Sequence, residues 1–407
     1  MSGPLEGLLV IECAGYLSAP TAGYMLGDLG AQVIKVEDRE KGDPSRGTEA
    51  IFGSSMSMAN GENLLFETAN RGKKSITLDL KKEKGRRLLY DLVSKADVFC
   101  TNFTQKTIAN LKIDYNTLKQ HNPKLVYGVA TAYGLVGPEK DKRAFDSVAQ
   151  ARSSIMYAVG GEPGSPPAQI GGPVFDQMTG TLLAYAVLAA LVKKDRDGIG
   201  QQVEVSLLGS GIHLQAYNIN AALLRGRQIP RPSRKAMKNP MSNHFECSDG
   251  EWLLLSEAQA DKYWPKFCDV LNIRDLENDP RFATTASRRE NSKELTPLIE
   301  EVFKAKTRDE WMKLFDEKGG GMAYSPVLKP TELANDQQAL ANGYIAEIDH
   351  PSLGLVKVVG NPVTFSETPV KVNGYAPQFG QHTEEVLLDV CGYTWEQIEE
   401  LKSEEVI

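Results

Sequence analysis

The chain has 407 residues, beyond the roughly 250–300 at which a single hydrophobic core stops growing, so two domains are expected. Its apolar fraction of 41% and charged fraction of 24% are ordinary for a globular enzyme and exclude disorder as the theme. A formal net charge of −7 excludes the basic domain or stripe on which a nucleic-acid binder depends.

Leu8–Glu12 reads as a short apolar strand, Ala19–Leu29 as a helix and Gln32–Val36 as a second strand, which together make a βαβ unit. The strand signal returns at Ser75–Leu80 and, after the amphipathic stretch Lys81–Lys95, at Ala96–Cys100. A further polar, helical stretch precedes Leu125–Thr131. This alternation predicts an α/β fold with a doubly wound parallel sheet and helices on both faces. A loop rich in glycine and proline, 160–173, leads to Asp176 and an apolar helix from about Met178 to Lys194. The segment 195–200 turns into the strand Gln202–Ser206, and a long helix is expected through 211–224.

Residues 225–238 are basic, contain proline and lack apolar periodicity, which marks a linker. Beyond it, His244–Ser256 reads as a hairpin and Ala258–Leu271 as a helix. The expected organisation is a large domain of residues 1–224, to which 327–407 return, and a smaller inserted α+β domain of residues 225–326. The returning segment holds Leu333–Ala341, the hairpin-like Ile345–Phe365 and a helix over Glu384–Leu388.

Five cysteines, Cys13, Cys100, Cys247, Cys268 and Cys391, lie far apart without a CxxC pair, which fits a reducing cytoplasm. The five histidines share no metal-ligand spacing, so no bound metal is expected. The first residues lack a signal peptide's basic and apolar regions, and no apolar stretch is read as reaching the ~20 residues of a bilayer span. A cytoplasmic protein without membrane or nucleic-acid partners follows.

Asp176 stands where loop becomes helix. On geometry alone it reads first as an N-cap, because aspartate is among the preferred capping residues. Free N–H groups and the positive end of the macrodipole at a helix start would also keep its carboxylate ionised and fit to attack. The first βα turn, 15–23, is rich in small residues and opens a helix, so it is either a tight connection or a phosphate or pantetheine cradle. It lacks G-x-G-x-x-G, which argues against a nicotinamide oxidoreductase. Two cation islands stand out in this acidic chain: Arg71, Lys73 and Lys74 beside Asn70, and Lys140, Lys142 and Arg143. Either alone reads as solvated surface. Together, in successive loops of one α/β sheet, they suggest a ligand with several phosphates.

Several stretches then carry a resemblance: Gly3–Gly7, Ala19-Pro20 through Leu26–Ala31, Val33–Glu37 with Gly42-Asp43, and Asn70–Ser75. Ala96–Val98, Gly137-Pro138, Phe145-Asp146, Phe175–Gly180 and Gly198 with Gly200-Gln201 continue it. In this order and spacing the chain resembles the family III CoA transferases, the formyl-CoA and carnitine CoA transferase group, along essentially its whole length. The resemblance puts the catalytic aspartate at Asp176. It implies that CoA moves from an acyl-CoA to a carboxylic acid through an aspartyl-CoA thioester, with the CoA thioester as substrate and no tightly bound cofactor. An interlocked homodimer is implied as well. The expected CoA contacts are Leu17, Ser18, Ala19, Arg39, Asn70, Arg71, Lys73, Lys74, Lys140 and Arg143. The 15–19 turn and Met241-Ser242-Asn243 are the candidate oxyanion sites.

Related α-methylacyl-CoA racemases use a histidine before the aspartate equivalent to Asp146. This chain has Phe145 there, which disfavours two-base racemisation. An acyl-CoA racemase or epimerase and a non-catalytic acyl-CoA binding protein stay open as alternatives. Leu17 replaces a glutamine of the formyl-CoA transferases, Asp38 beside Arg39 replaces an arginine, and residues 102–106 depart from Asn-Phe-x-Pro-Gly. Oxalate recognition is therefore doubtful. The 16–20 turn and the 66–74 stretch are nearer to the 2-hydroxy acid and aryl acid CoA transferases of anaerobes, and Leu17 facing the site would suit a larger apolar acid. His244, Cys247 and Trp252 receive no role, and the Gly380–Thr383 motif is expected to cap the following helix.

Overall fold

In the computed structural model, which describes residues 3–372 and 374–407, successive residues of the early strands enter opposite cores. Val10, Val33, Val98 and Val126 point one way, and Ile11, Ile34, Phe99 and Tyr127 the other. Apolar burial on both sides is what a parallel sheet between two helical layers requires. Its strands are β1 (Leu9–Glu12), β2 (Gln32–Asp38), β3 (Lys74–Leu78), β4 (Val98–Thr101), β5 (Val126–Thr131) and β6 (Gln202–Ser206). They lie in the order β3-β2-β1-β4-β5-β6, all parallel, with Val10 opposite both Val33 and Val98.

Helices α1 (Ser18–Asp28), α2 (Leu64–Asn70), α3 (Glu83–Lys95), α4 (Asp146–Arg152), α5 (Val174–Asp197) and α6 (Leu207–Leu214) belong to the same unit. Ala19, Ala22 and Leu26 of α1 and Leu183, Val187 and Leu191 of α5 cover one face of the sheet. Leu88, Leu89, Leu92 and Val93 of α3 cover the other, joined by Leu387, Ile398 and Leu401 from the end of the chain. The unit comprises Met1–Tyr157, Gln169–Gln228 and Gln337–Ile407.

Three local readings change. First, α5 has 24 residues and is long and apolar enough to cross a bilayer by length and composition, whereas no such stretch was expected. Leu183, Ala184, Val187, Ala190 and Leu191 pack on the sheet while Tyr185 and Val192 stay exposed, and the helix ends where Gly198 turns left-handed at φ 70°. Second, the long helix expected through 211–224 is two, α6 and Ala216–Arg225. They part at Gln215, whose amide donates to the carbonyls of Ser153 and Gly211. Third, His382 makes no side-chain cap bond to the helix Thr383–Val386. Its Nδ1 accepts the Ser75 N–H at 3.1 Å, and Thr383 Oγ1 accepts the Thr77 N–H at 3.1 Å. The motif thus covers the free edge of β3, the kind of exposed ladder that sheets must hide.

The second unit, Ala158–Ala168 with Ile229–Asp336, has a three-stranded antiparallel sheet made by His244–Glu246, Trp252–Leu255 and Tyr324–Val327. Phe245, Leu253, Trp264, Phe267, Phe303, Trp311 and Phe315 form its core. Residues 158–168 group with it because the buried Arg231 donates to the carbonyls of Gly160 and Ser165.

Candidate active site

Strand order reverses between β1 and β4, and a doubly wound sheet leaves a crevice beyond the carboxyl ends of the strands at such a point. A cavity of about 420 Å³ opens there. Gly15, Tyr16 and Ser18 after β1, Asn102, Phe103 and Thr104 after β4, and Thr131 at the end of β5 line it, with Lys140, Arg143, Phe145 and Asp176.

The turn after β1 is held from both sides. Asn102 Oδ1 accepts the Gly15 N–H at 3.0 Å, while its amide donates to Gly15 O at 2.6 Å and to Ser18 Oγ at 3.1 Å. Asp43 Oδ1 accepts the Tyr16 N–H at 3.1 Å. These anchors hold Tyr16 at φ +60°, a left-handed conformation that is uncommon for a bulky residue. The N-cap of α1, Leu17, makes no side-chain cap bond, so the first N–H groups of that helix receive no side-chain acceptor from it.

Asp176 lies within the first turn of α5 and is not its N-cap, since the helix starts at Val174 with Pro173 before it. The capping carboxylate comes from elsewhere. Asp146 Oδ2 accepts the N–H groups of Phe175 at 2.6 Å and Asp176 at 3.0 Å, and Oδ1 takes the Gln150 amide at 2.6 Å. Among the described residues, nothing donates a hydrogen bond to the half-buried Asp176 carboxylate. The expectation that helix N–H groups keep it ionised therefore fails, because Asp146 has taken them. Burial, followed by the neighbouring Asp146 charge, pushes the Asp176 pKa up to about 7. One turn further on, Gly180 lets α5 approach α1, for a Cβ there would lie 2.4 Å from Thr21 Cβ and 2.5 Å from Ser18 O.

The expected CoA contacts separate into two groups. Ser18, Lys140 and Arg143 line the cavity with Asp176. Leu17 and Ala19 are buried, Leu17 against Leu65 and Ala69 and Ala19 in the sheet core, so Leu17 does not face the site. Asn70 accepts from Lys73 at 2.9 Å, and Arg71 pairs with Asp28 at 2.6 Å while donating to Val359 O. Lys74 pairs with Glu385 at 2.6 Å, and Arg39 donates to Ile407 O at 3.0 Å. These four surround β2 and β3 and do not line the cavity. Met241-Ser242-Asn243 lies in the second unit, where the Asn243 amide donates to Arg234 O.

Lys73 enters a charge network whose side chains are wholly buried. Glu12 bridges Lys35 at 3.0 Å and Lys73 at 2.7 Å, and Lys35 also meets Asp43 at 2.7 Å. Burial lowers the Lys73 pKa to about 8, against the pull of Glu12. Burial also disfavours the Lys35 cation, but Asp43, Glu12 and Glu37 outweigh it and hold its pKa above the usual lysine value. Since Asp43 holds Tyr16, the network braces the cavity from behind. Away from the cavity, Glu62, Glu67 and His350 converge with His350 Nε2 3.5 and 3.6 Å from the two carboxylates, a grouping that sequence spacing could not show.

A sequence profile described as CoA-transferase family III matches residues 5–383. The chain belongs to that family. This family III CoA transferase is 34% identical over 404 residues to the (R)-2-hydroxy-4-methylpentanoate CoA-transferase of Clostridioides difficile, covering 99% of each chain. It is 32% identical over 410 residues to the cinnamoyl-CoA:phenyllactate CoA-transferase of Clostridium sporogenes, with 99% of this chain and 97% of the other covered. A CAIB/BAIF family protein from Brucella suis has a crystal structure that superposes with a TM-score of 0.84 at 31% identity, covering 96% and 100% of the two chains. The candidate site also depends on Asp43, Asn102 and Asp146, to which the sequence alone assigns no positioning role. All three lie inside stretches that carry the resemblance or its departures, and Asp146 is also the counterpart of the racemases' aspartate.

Proposed function

We propose that this enzyme transfers CoA between carboxylic acids by covalent catalysis at Asp176. The Asp176 carboxylate attacks the donor thioester and expels CoA thiolate, giving a mixed anhydride. The thiolate then attacks the aspartyl carbonyl, releasing the donor acid and leaving an aspartyl-CoA thioester. The acceptor carboxylate displaces the thiolate to form a second anhydride, and thiolate attack on its acyl carbon yields the new acyl-CoA and free Asp176. Covalent capture divides one difficult exchange into easier acyl transfers. The observation that carries this reading is a carboxylate without a donor on the wall of the switch-point cavity. Its pKa near 7 leaves a substantial ionised fraction at neutral pH without strong solvation to blunt it.

Lys140 and Arg143 are exposed, line the cavity and have no ion-pair partner among the described residues, which supports a role for them in binding CoA phosphates. The α1 N-terminus beside Ser18 supports an oxyanion or pantetheine contact. Asp146 is committed to capping α5 and does not line the cavity, which favours covalent transfer over proton shuttling between two faces. The relatives' names support 2-hydroxy or aryl acids as acceptors. The resemblance supports a cytoplasmic homodimer that takes CoA thioesters as substrates and holds no cofactor tightly.

Incubation with an acyl-CoA followed by hydroxylamine should leave a hydroxamate on Asp176, located by peptide mass spectrometry. Asp176→Ala should abolish both label and transfer. Undiminished exchange by that variant would remove the proposal.

A further inference from the structure

We infer that Tyr16 and Phe145 form an aromatic wall that selects the acyl side chain, favouring acids with an aryl or branched apolar group. This rests on Asp176 being the acyl-accepting residue. Both rings are large, apolar and open to the cavity, with Tyr16 37% and Phe145 56% exposed. Their centroids lie 5.9 Å apart with planes at 82°, the edge-to-face arrangement aromatic pairs prefer. Each ring leaves surface for a third group. Exposed apolar side chains gathered at a polar rim mark a binding surface more often than scattered ones do.

The backbone supplies an independent reason. Tyr16 sits at φ +60°, where glycine would fit without strain and tyrosine does not. Asp43 and Asn102 nevertheless fix that turn, through the Tyr16 N–H and both polar groups of Gly15. Backbone strain that the surroundings over-determine clusters at ligand sites. Its result here is a ring standing in the cavity with Asp176. The Tyr16 hydroxyl has no hydrogen-bond partner among the described residues, so the ring is not placed there to satisfy the protein. Phe103 and Leu207 extend the same lining, giving an apolar side chain a surface that formate, oxalate or acetate cannot fill.

The test uses the full-length enzyme with acetyl-CoA as donor and 3-phenylpropionate, 4-methylpentanoate or acetate as acceptor, with acetate exchange followed by isotope. Wild type should prefer the two larger acids. Phe145→Ala should lower the ratio of kcat/KM for them over kcat/KM for acetate by about tenfold, the scale of one aromatic contact. Tyr16→Phe should keep the preference. Tyr16→Asn should lose it, because asparagine tolerates the left-handed backbone but carries no ring. Thermal unfolding of the same variants shows that they fold. A wild type that prefers acetate, or variants that lose all three acids equally, would overturn the inference. Activity surviving in Asp176→Ala would instead remove the covalent reading, whatever the selectivity.

Discussion

The two cation islands carry similar charges on one parallel sheet, the first running from α2 into β3 and the second following β5, yet the fold uses most of them in opposite ways. Lys73 is wholly buried on Glu12, and Arg71 is nearly so on Asp28. Lys140 and Arg143 stay exposed at the cavity, facing no carboxylate partner among the described residues. In the first island Lys73 and Arg71 are paired inside, Lys74 pairs with Glu385 at the surface, and Lys73 joins the network that braces the turn of Tyr16. In the second, Lys142 pairs with Glu139 at 2.8 Å, while Lys140 and Arg143 remain available to an anion from solvent. A run of basic residues in sequence therefore says little until its counter-charges are located, and for the first island those lie on β1, on α1 and in the helix Thr383–Val386.

Substitution should separate the two islands sharply. Lys73→Met keeps the volume but leaves Glu12 with Lys35 alone, and removing one partner of a buried pair costs about 3–5 kcal/mol. Urea denaturation should show most of that loss. Lys140→Met and Arg143→Met should each change stability by no more than about 0.5 kcal/mol, as exposed substitutions do. Together they should raise the KM for acyl-CoA about tenfold, near the worth of a charge-assisted hydrogen bond, with kcat little changed. A stable Lys73→Met variant with a raised KM would erase the distinction.

The next largest effect tests how the braced side reaches the open one. Gly180 is the point at which α5 lies on α1, and the atoms its Cβ would strike include the backbone oxygen of Ser18. Alanine would gain helix propensity of about 1 kcal/mol. Overpacking against backbone should outweigh that gain, for a net loss within the usual ~1–3 kcal/mol. Because Ser18 lines the cavity and Asp176 is one turn away, Gly180→Ala should also lower kcat. Steady-state kinetics beside thermal unfolding would separate the two losses, and an unchanged kcat would show that the α1–α5 crossing does not set the site.

The sheet was legible because its strands are short apolar runs between helical periods, and Val10-Ile11 or Val98-Phe99 announce burial on both faces. Asp176 was legible through its position after a glycine-rich loop and through motif order. Its electrostatics were not. Asp146 lies 30 residues earlier, and only the fold shows that it takes the N–H groups expected to serve Asp176. Leu17 and the Asn70–Lys74 stretch failed as cavity residues for a related reason, since sequence places them in the right loops without saying which way each side chain points. The turn from 15 to 19 alternates between cavity and core within single residues, Tyr16 outward and Leu17 inward.

The smallest effect lies at Asp176 itself, where the braced and open regions meet. Its carboxyl titrates near 7 in the folded chain, whereas an unfolded aspartate titrates near 4. Between those values the native state keeps a proton that the unfolded chain has released, so this group's contribution to stability is full below about pH 4, falls as pH rises and is gone above about pH 7. Asp176→Asn removes that dependence. The variant should gain stability relative to wild type between about pH 4 and pH 7, read as a widening difference in urea midpoints that levels off above about pH 7, because the comparison cancels the other titrating groups. Transfer should move the opposite way, with kcat/KM for the donor rising through about pH 7 as the carboxylate forms. A stability difference that stays constant with pH would mean that solvent reaches Asp176 more freely than its burial beside Asp146 implies. A stability difference that levels off at the pH where kcat/KM reaches its midpoint would identify one proton as the source of both, with the charge that destabilises the fold being the charge that attacks.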